Sequence, residues 1–423
     1  MGVSSSMPLT FARRVTPLLI LVAAACSKYG ASNTPSAAPT PTASQSVVLI
    51  SLDAFRWDYL SRPNAVNLRR LAASGVHAER MVPSFPSLTF PNHYTIATGL
   101  YPEHHGIVAN NMTDATLGKF SMSDTIAVRD VAWWGGEPIW ITAEKQGRRA
   151  GAFFWPGSEL AHDGVWASRW LKFDDKFPNG ARIDSVLKWL TLPNRQALSL
   201  VTLYYSDVDH AGHDAGPATP AVDSAIARVD SQVGRLIDGM AARGLSSRVN
   251  VIVVADHGMA AISPDRAIFL DDYIAVTDVD IGEFAANATL TPKPGKLDAV
   301  FAKLKGANNP HMSVYRKGEV PTRFHYDTNA RIAPLILMAE EGWTFTTHDR
   351  FAKRQPRGGA HGYDNQLSSM GAIFVASGPA FRQGYTAPAF QNIHVYELIC
   401  HILGLKPAKN DGSIDSTKAM LRR

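Results

Sequence analysis

Apolar residues fall in short β-branched runs, separated by stretches where they recur every three or four positions. Val47-Val48-Leu49-Ile50 is the first run. It does not alternate with polar residues, as expected of a strand buried on both faces of a parallel sheet. Leu198 to Leu203, with Ser199 and Thr202 interleaved, Val249 to Val254, with Asn250 near its start, and Ala372 to Ala376 are further runs. Between Ala221 and Ala242, Val222, Ile226, Val229, Val233 and Ile237 are spaced as one face of a helix. Strands alternating with helices predict an α/β fold with a doubly wound, mostly parallel sheet and helices on both faces. No internal repeat is visible.

The first 45 residues do not follow this pattern. Arg13 and Arg14 precede a short apolar stretch, Thr16 to Ala25, that is too brief to span a bilayer comfortably. Ala23-Ala24-Ala25-Cys26 resembles a bacterial lipoprotein signal, with simple cleavage near Ala25 as the alternative. Residues 1–26 are therefore expected to be an export signal, and 27–45, rich in Ser, Thr, Pro and Ala, a flexible linker. Residues 46–423 are expected to form a single catalytic domain. The implied location is periplasmic or outer-membrane, with membrane contact only through a lipid anchor, or secreted.

Composition narrows the chemistry. The chain has 423 residues, 42 Lys+Arg against 37 Asp+Glu, and no long basic run, which argues against a duplex nucleic acid as partner. Its two cysteines, Cys26 and Cys400, exclude a cysteine-rich zinc site, so any metal must be held mainly by Asp, Glu and His. Asp53 and Asp256 stand just beyond apolar runs, and Asp209 a few residues beyond one. Ligands in open α/β sheets bind outside the carboxyl ends of strands. Each Asp alone is commonplace, for example as a helix cap; the set is not. Asp209 and His213 would share a side of a helical turn, Asp256-His257-Gly258 places two donors at a turn, and His361 lies among small residues. Thr89 sits in a proline-rich loop that leads into Asn92 to Thr98, which looks like a helix start. A hydroxyl or phosphate there gains from the helix dipole.

Thr89-Phe90-Pro91-Asn92-His93-Tyr94, Thr98 to Ile107, Trp155-Pro156-Gly157-Ser158, Asp209 to His213, Ala255 to Met259 and His361-Gly362 together resemble the nucleotide pyrophosphatase/phosphodiesterase family of the alkaline phosphatase superfamily. The resemblance runs from about Val47 almost to the C-terminus and implies the alkaline-phosphatase-like fold. It implies two Zn2+ ions, one held by Asp53, Asp256 and His257, the other by Asp209, His213 and His361, with Thr89 between them as nucleophile. Asn110 resembles the donor to a phosphate oxygen, with Asn111 one position away. Phe90 and Phe173 resemble aromatics that stack on a nucleobase. His105 and His210 lie beside the motifs without a ligand role.

The implied reaction is hydrolysis of a small-molecule nucleotide or other phosphodiester through a covalent phosphothreonine, releasing a nucleoside 5′-monophosphate. The alternatives are a phosphate-monoester or phosphonoacetate hydrolase of the same superfamily, a lysophospholipid or choline phosphodiesterase, and a binding lipoprotein without catalysis. No Lys or Arg lies between Met81 and Val108, which favours diesters over doubly charged monoesters. The chain resembles a stand-alone catalytic form, lacking the additional domains of longer members.

Overall fold

The structure is a computed structural model that describes residues 45–193 and 196–422. The expected signal (1–26) and nearly all of the linker (27–45) lie outside the described residues. Eight strands form the central sheet: β1 (Ser46–Leu52), β2 (Val76–Ala78), β3 (Ala150–Phe153), β4 (Arg169–Leu171), β5 (Leu200–Tyr205), β6 (Val249–Val254), β7 (Phe374–Ser377) and β8 (Tyr385–Ala387). Their order is β8-β2-β7-β6-β1-β5-β3-β4. All neighbours are parallel except β7, which runs antiparallel to both β2 and β6.

Every residue of β1, β5 and β6 is buried, as their mostly apolar runs predict. The long helix α1 (Pro220–Ala241) has Pro at its first position and buries Val222, Ile226, Val229 and Val233; Ile237 is partly buried on the same face. A second helix group, including Thr89–Thr98, Ile139–Lys145 and His394–Leu403, packs separately from α1.

Two features depart from the sequence reading. The helix expected to start near Asn92 starts at Thr89. A second, antiparallel sheet of four strands, Val279–Phe284, Asn287–Pro292, Leu335–Ala339 and Met312–Arg316 in that spatial order, has a hydrophobic cluster of its own. Among the described residues no helix is long and apolar enough to cross a membrane.

Candidate active site

The parallel register brings distant carboxylates together. β1 lies between β5 and β6, with Leu52 opposite Tyr205 and Ser51 opposite Val254. The chain leaves all three strands at the same edge. Asp53 follows β1 directly, Asp256 comes two residues after β6, and Asp209 lies in the helix Asp207–Ala215 that follows β5. Ala54 takes a left-handed backbone (φ 54°), uncommon for a residue with a Cβ, and its N–H donates to Asp256 Oδ1 at 3.1 Å. The Tyr204 hydroxyl donates to Asp53 Oδ2 at 2.7 Å.

Three histidines complete the cluster. The Nδ1 atoms of His213, His257 and His361 each lie 2.9 Å from a backbone carbonyl, of Gly359, Gly258 and Ser87 respectively. A carbonyl only accepts, so each Nδ1 carries a proton and each ring turns its Nε2 inward. This anchoring of the far nitrogen is how metal-binding histidines are oriented. His257 Nε2 lies 2.9 Å from Asp256 Oδ2 and 3.7 Å from Asp53 Oδ1. His213 Nε2 lies 3.3 Å from Asp209 Oδ1, and His361 Nε2 3.8 Å from the same oxygen. The His213 and His361 Nε2 atoms are 3.1 Å apart, and the His257 and His361 rings stack at 3.7 Å.

The residues fit a pair of divalent cations. Asp53 Oδ1, Asp209 Oδ1 and Asp256 Oδ2 are buried without a hydrogen-bond partner, and among the described residues no Lys or Arg pairs with these carboxylates. Such atoms are costly to bury unless something positive sits among them. Protonation reflects the same crowding. Burial, then the Asp256 and Asp209 charges, raise Asp53 well above the usual carboxyl range. Burial raises Asp209 as well. Burial also opposes ionisation of Asp256, but His257 and His93 overcome it and hold that carboxyl low. Burial, with His257 and His213 alongside, keeps His361 neutral far below the usual imidazole range.

Two buried groups of metal-ligand type stand out by donor distance alone: Asp209, His257 and His361, and Asp53, His93 and Asp256. His93 appeared in the sequence only inside a motif; its four-residue spacing from Thr89 was the available signal. Both of its nitrogens are engaged. Nδ1 faces the Thr89 carbonyl at 2.9 Å and Nε2 the Ser51 hydroxyl at 2.8 Å. A proton on Nδ1 leaves His93 no free lone pair toward Asp256, so it serves better as a brace between Thr89 and Asp256 than as a ligand.

Thr89 is the first residue of its helix, with Leu88 at the N-cap, so Thr89 does not cap the helix through its side chain. Its Oγ1 instead lies 3.3 Å from His257 Nε2, at the edge of the carboxylate–imidazole cluster. Asn110 is buried, and its Oδ1 accepts the Phe90 N–H at 2.9 Å. Asn111 turns away to Glu283. Phe90 is part-buried against Phe120 and Trp134, with centroids 6.1 and 6.0 Å away. Phe173 is 47% exposed and lies 6.1 Å from the Tyr204 ring. His105 is buried away from the cluster on Thr95, and His210 points at Asp175.

The model of the type I phosphodiesterase / nucleotide pyrophosphatase family matches residues 47–364. The chain is 38% identical over 407 residues to venom phosphodiesterase CdcPDE of Crotalus durissus collilineatus, covering 94% of this chain and 48% of that protein. It therefore spans about half the length of the first curated relatives it matches. It is also 38% identical over 386 residues to bis(5′-adenosyl)-triphosphatase enpp4 of Xenopus laevis, covering 90% of this chain and 83% of that one. Murine ectonucleotide pyrophosphatase/phosphodiesterase 5, solved as an inactive threonine-to-alanine variant in complex with AMP, superposes with a TM-score of 0.85 at 36% identity, covering 89% of this chain and all of that one.

Proposed function

This chain belongs to the type I phosphodiesterase / nucleotide pyrophosphatase family of hydrolases, and from that premise we propose that it cleaves phosphodiester or pyrophosphate bonds of nucleotides and related small diesters, releasing nucleoside 5′-monophosphates, with Thr89 as nucleophile. The observation that carries this reading is the placement of Thr89 Oγ1 beside His257, at the rim of three buried carboxylates with unpartnered oxygens.

In this reading Asp53, Asp256 and His257 hold one metal ion and Asp209, His213 and His361 the other. Carboxylate and imidazole donors without thiolate suit zinc. Bound zinc ions would supply Lewis acidity, drawing the proton from the threonine hydroxyl and neutralising charge on the phosphate. The remaining work belongs to side chains of this chain. Thr89 begins a helix, so the positive end of the peptide dipoles favours both its alkoxide and the incoming phosphate. Its Oγ1 attacks phosphorus; the Oγ1–P bond forms and the bond to the leaving oxygen breaks. Water then cleaves the Oγ1–P bond, returning the hydroxyl and releasing the monoester. Two inversions give net retention at phosphorus.

Asn110 has its Oδ1 fixed by the Phe90 amide, which leaves its Nδ2 to donate to a non-bridging oxygen. Tyr204 holds Asp53 Oδ2 and so aims Oδ1. Phe90, backed by Phe120 and Trp134, is one wall for a base, and the half-exposed Phe173 the other. Stacking of this kind contributes roughly 1–3 kcal/mol per base. AMP in the murine relative and the dinucleotide named for the frog relative support a nucleotide substrate. Residues 46–423 act as one catalytic domain behind the export signal, in the periplasm, on the outer membrane or secreted.

The test compares bis-p-nitrophenyl phosphate with p-nitrophenyl phosphate, with and without chelator. A strong diester preference abolished by chelation is expected. Faster monoester turnover, or turnover that survives chelation, would overturn the reading.

A further inference from the structure

Outside the metal-ligand cluster, one buried carboxylate stands apart. Glu283, on the strand Val279–Phe284 of the second sheet, is 9% exposed and packs among Phe85, Ala109, Tyr326 and Ile336. Among the described residues no Lys, Arg or His forms an ion pair with it. Its Oε1 instead accepts the Asn111 backbone N–H at 2.5 Å and the Asn111 carboxamide at 3.3 Å. The strand backbone that carries it is anchored where the Glu283 N–H donates to Thr289 Oγ1 at 2.8 Å. Val108, two residues before Asn110, is tied beside Glu283 through its carbonyl, which accepts the Tyr326 hydroxyl at 2.9 Å.

A lone carboxyl in an apolar setting is expensive, and a sheet strand needs none there. What its Oε1 holds is the N–H of the peptide that joins Asn110, the residue assigned above to the phosphate, to Asn111. The Asn110 side chain is fixed by the Phe90 amide, and the peptide that follows Asn110 is fixed through the Asn111 N–H by Glu283. Resting on that assignment of Asn110, we propose that Glu283 is a positioning residue. It clamps the Asn110–Asn111 peptide so that the Asn110 carboxamide is already aimed when charge develops on the non-bridging oxygen. Preorganised donors lose their advantage when misplaced by about an ångström. The second sheet thereby becomes part of the catalytic apparatus without touching substrate.

A double-mutant cycle on kcat/KM for thymidine 5′-p-nitrophenyl phosphate tests this. Asn110→Ala is expected to cost about 100-fold, in the range seen for a lost oxyanion donor. Glu283→Ala should cost roughly 10-fold or more, mainly in kcat, because the donor is misaimed in the transition state. Glu283→Gln, whose Oε1 can still accept the same N–H, should stay within about threefold of wild type. In the Asn110→Ala background Glu283→Ala should cost under about twofold, since there is no carboxamide left to aim. Bound metal, by elemental analysis, should be unchanged throughout. If Glu283→Ala does not fold, Glu283→Asp keeps the charge but withdraws the acceptor by one methylene, and reads the same cycle. Equal losses from the Glu283 change in both backgrounds would reduce it to a structural pillar and overturn the inference. If Asn110→Ala costs nothing, the assignment of Asn110 falls and the inference with it.

Discussion

Thr89 is distinguished from the other threonines by its surroundings. Its hydroxyl does not cap its helix and faces the cluster at 3.3 Å from His257. Thr89→Ala is therefore expected to lower kcat by at least about 1,000-fold while metal content, measured by elemental analysis, stays at the wild-type level. The acidic members of the cluster were legible in the sequence because each stands at or beyond an apolar run. The bracing roles of His93 and Glu283 were not, since both depend on contacts with residues far away in the chain. Glu283 also yields a stability prediction. Burial pushes its carboxyl up to about 7, despite the Asn111 N–H groups that favour the charged form. A carboxyl raised on folding binds its proton more tightly in the native state. Its contribution is thus most favourable below about pH 4.5 and is lost as pH climbs through 7. Glu283→Gln removes this titration. Its melting temperature should match wild type near pH 4.5 and exceed it at pH 8, with up to about 3 kcal/mol at stake at roughly 1.4 kcal/mol per pKa unit. An equal difference at both pH values would contradict this.

At the scale of elements, the design is three adjacent parallel strands ending at one edge, with the candidate ligands on the turns and the helix beyond them. Periodicity revealed β1, β5 and β6 and nearly the full span of α1, but could not show strand direction. β7 reads as one more apolar run, yet lies antiparallel. The start of the Thr89 helix was also hidden, for a physical reason. Pro83, Pro86 and Pro91 suggest a loop, but Pro91 is only the third helical residue, where the backbone N–H has no intrahelical partner and its loss is harmless. The short strand Gly358–Ala360, which leads into His361, is held very close to the Asp209 helix. Gly358 has a φ of 82°, and a Cβ there would sit 2.0 Å from the His213 carbonyl oxygen. Gly358→Ala should therefore separate His361 from His213, weaken one metal site and lower kcat/KM by at least about tenfold, with a stability loss on the order of 1–3 kcal/mol. Isothermal titration of the metal-free variant with Zn2+ would show the affected site; two sites of wild-type affinity would contradict the account.

For the molecule as a whole, stability and metal binding are one problem. Three largely buried Asp side chains with unpartnered oxygens repel each other unless cations sit among them. Chelation should then lower the melting temperature by several degrees as well as stop turnover, and Zn2+ should restore both, because a ligand bound only by the native state stabilises it. The sheet class and four of the main sheet's eight strands, β1, β5, β6 and β7, were readable from the chain alone. The second sheet was not read: Val279–Phe284 mixes charged and apolar residues, and Leu335–Ala339, though wholly apolar, is only five residues long. Its importance is visible only through Glu283. The most direct test of the central claim is mass spectrometry of enzyme acid-quenched during turnover of thymidine 5′-p-nitrophenyl phosphate. The account predicts a thymidylyl adduct on the peptide containing Thr89, absent after chelation and absent in Thr89→Ala. An adduct on another residue, or undiminished turnover by Thr89→Ala, would contradict it.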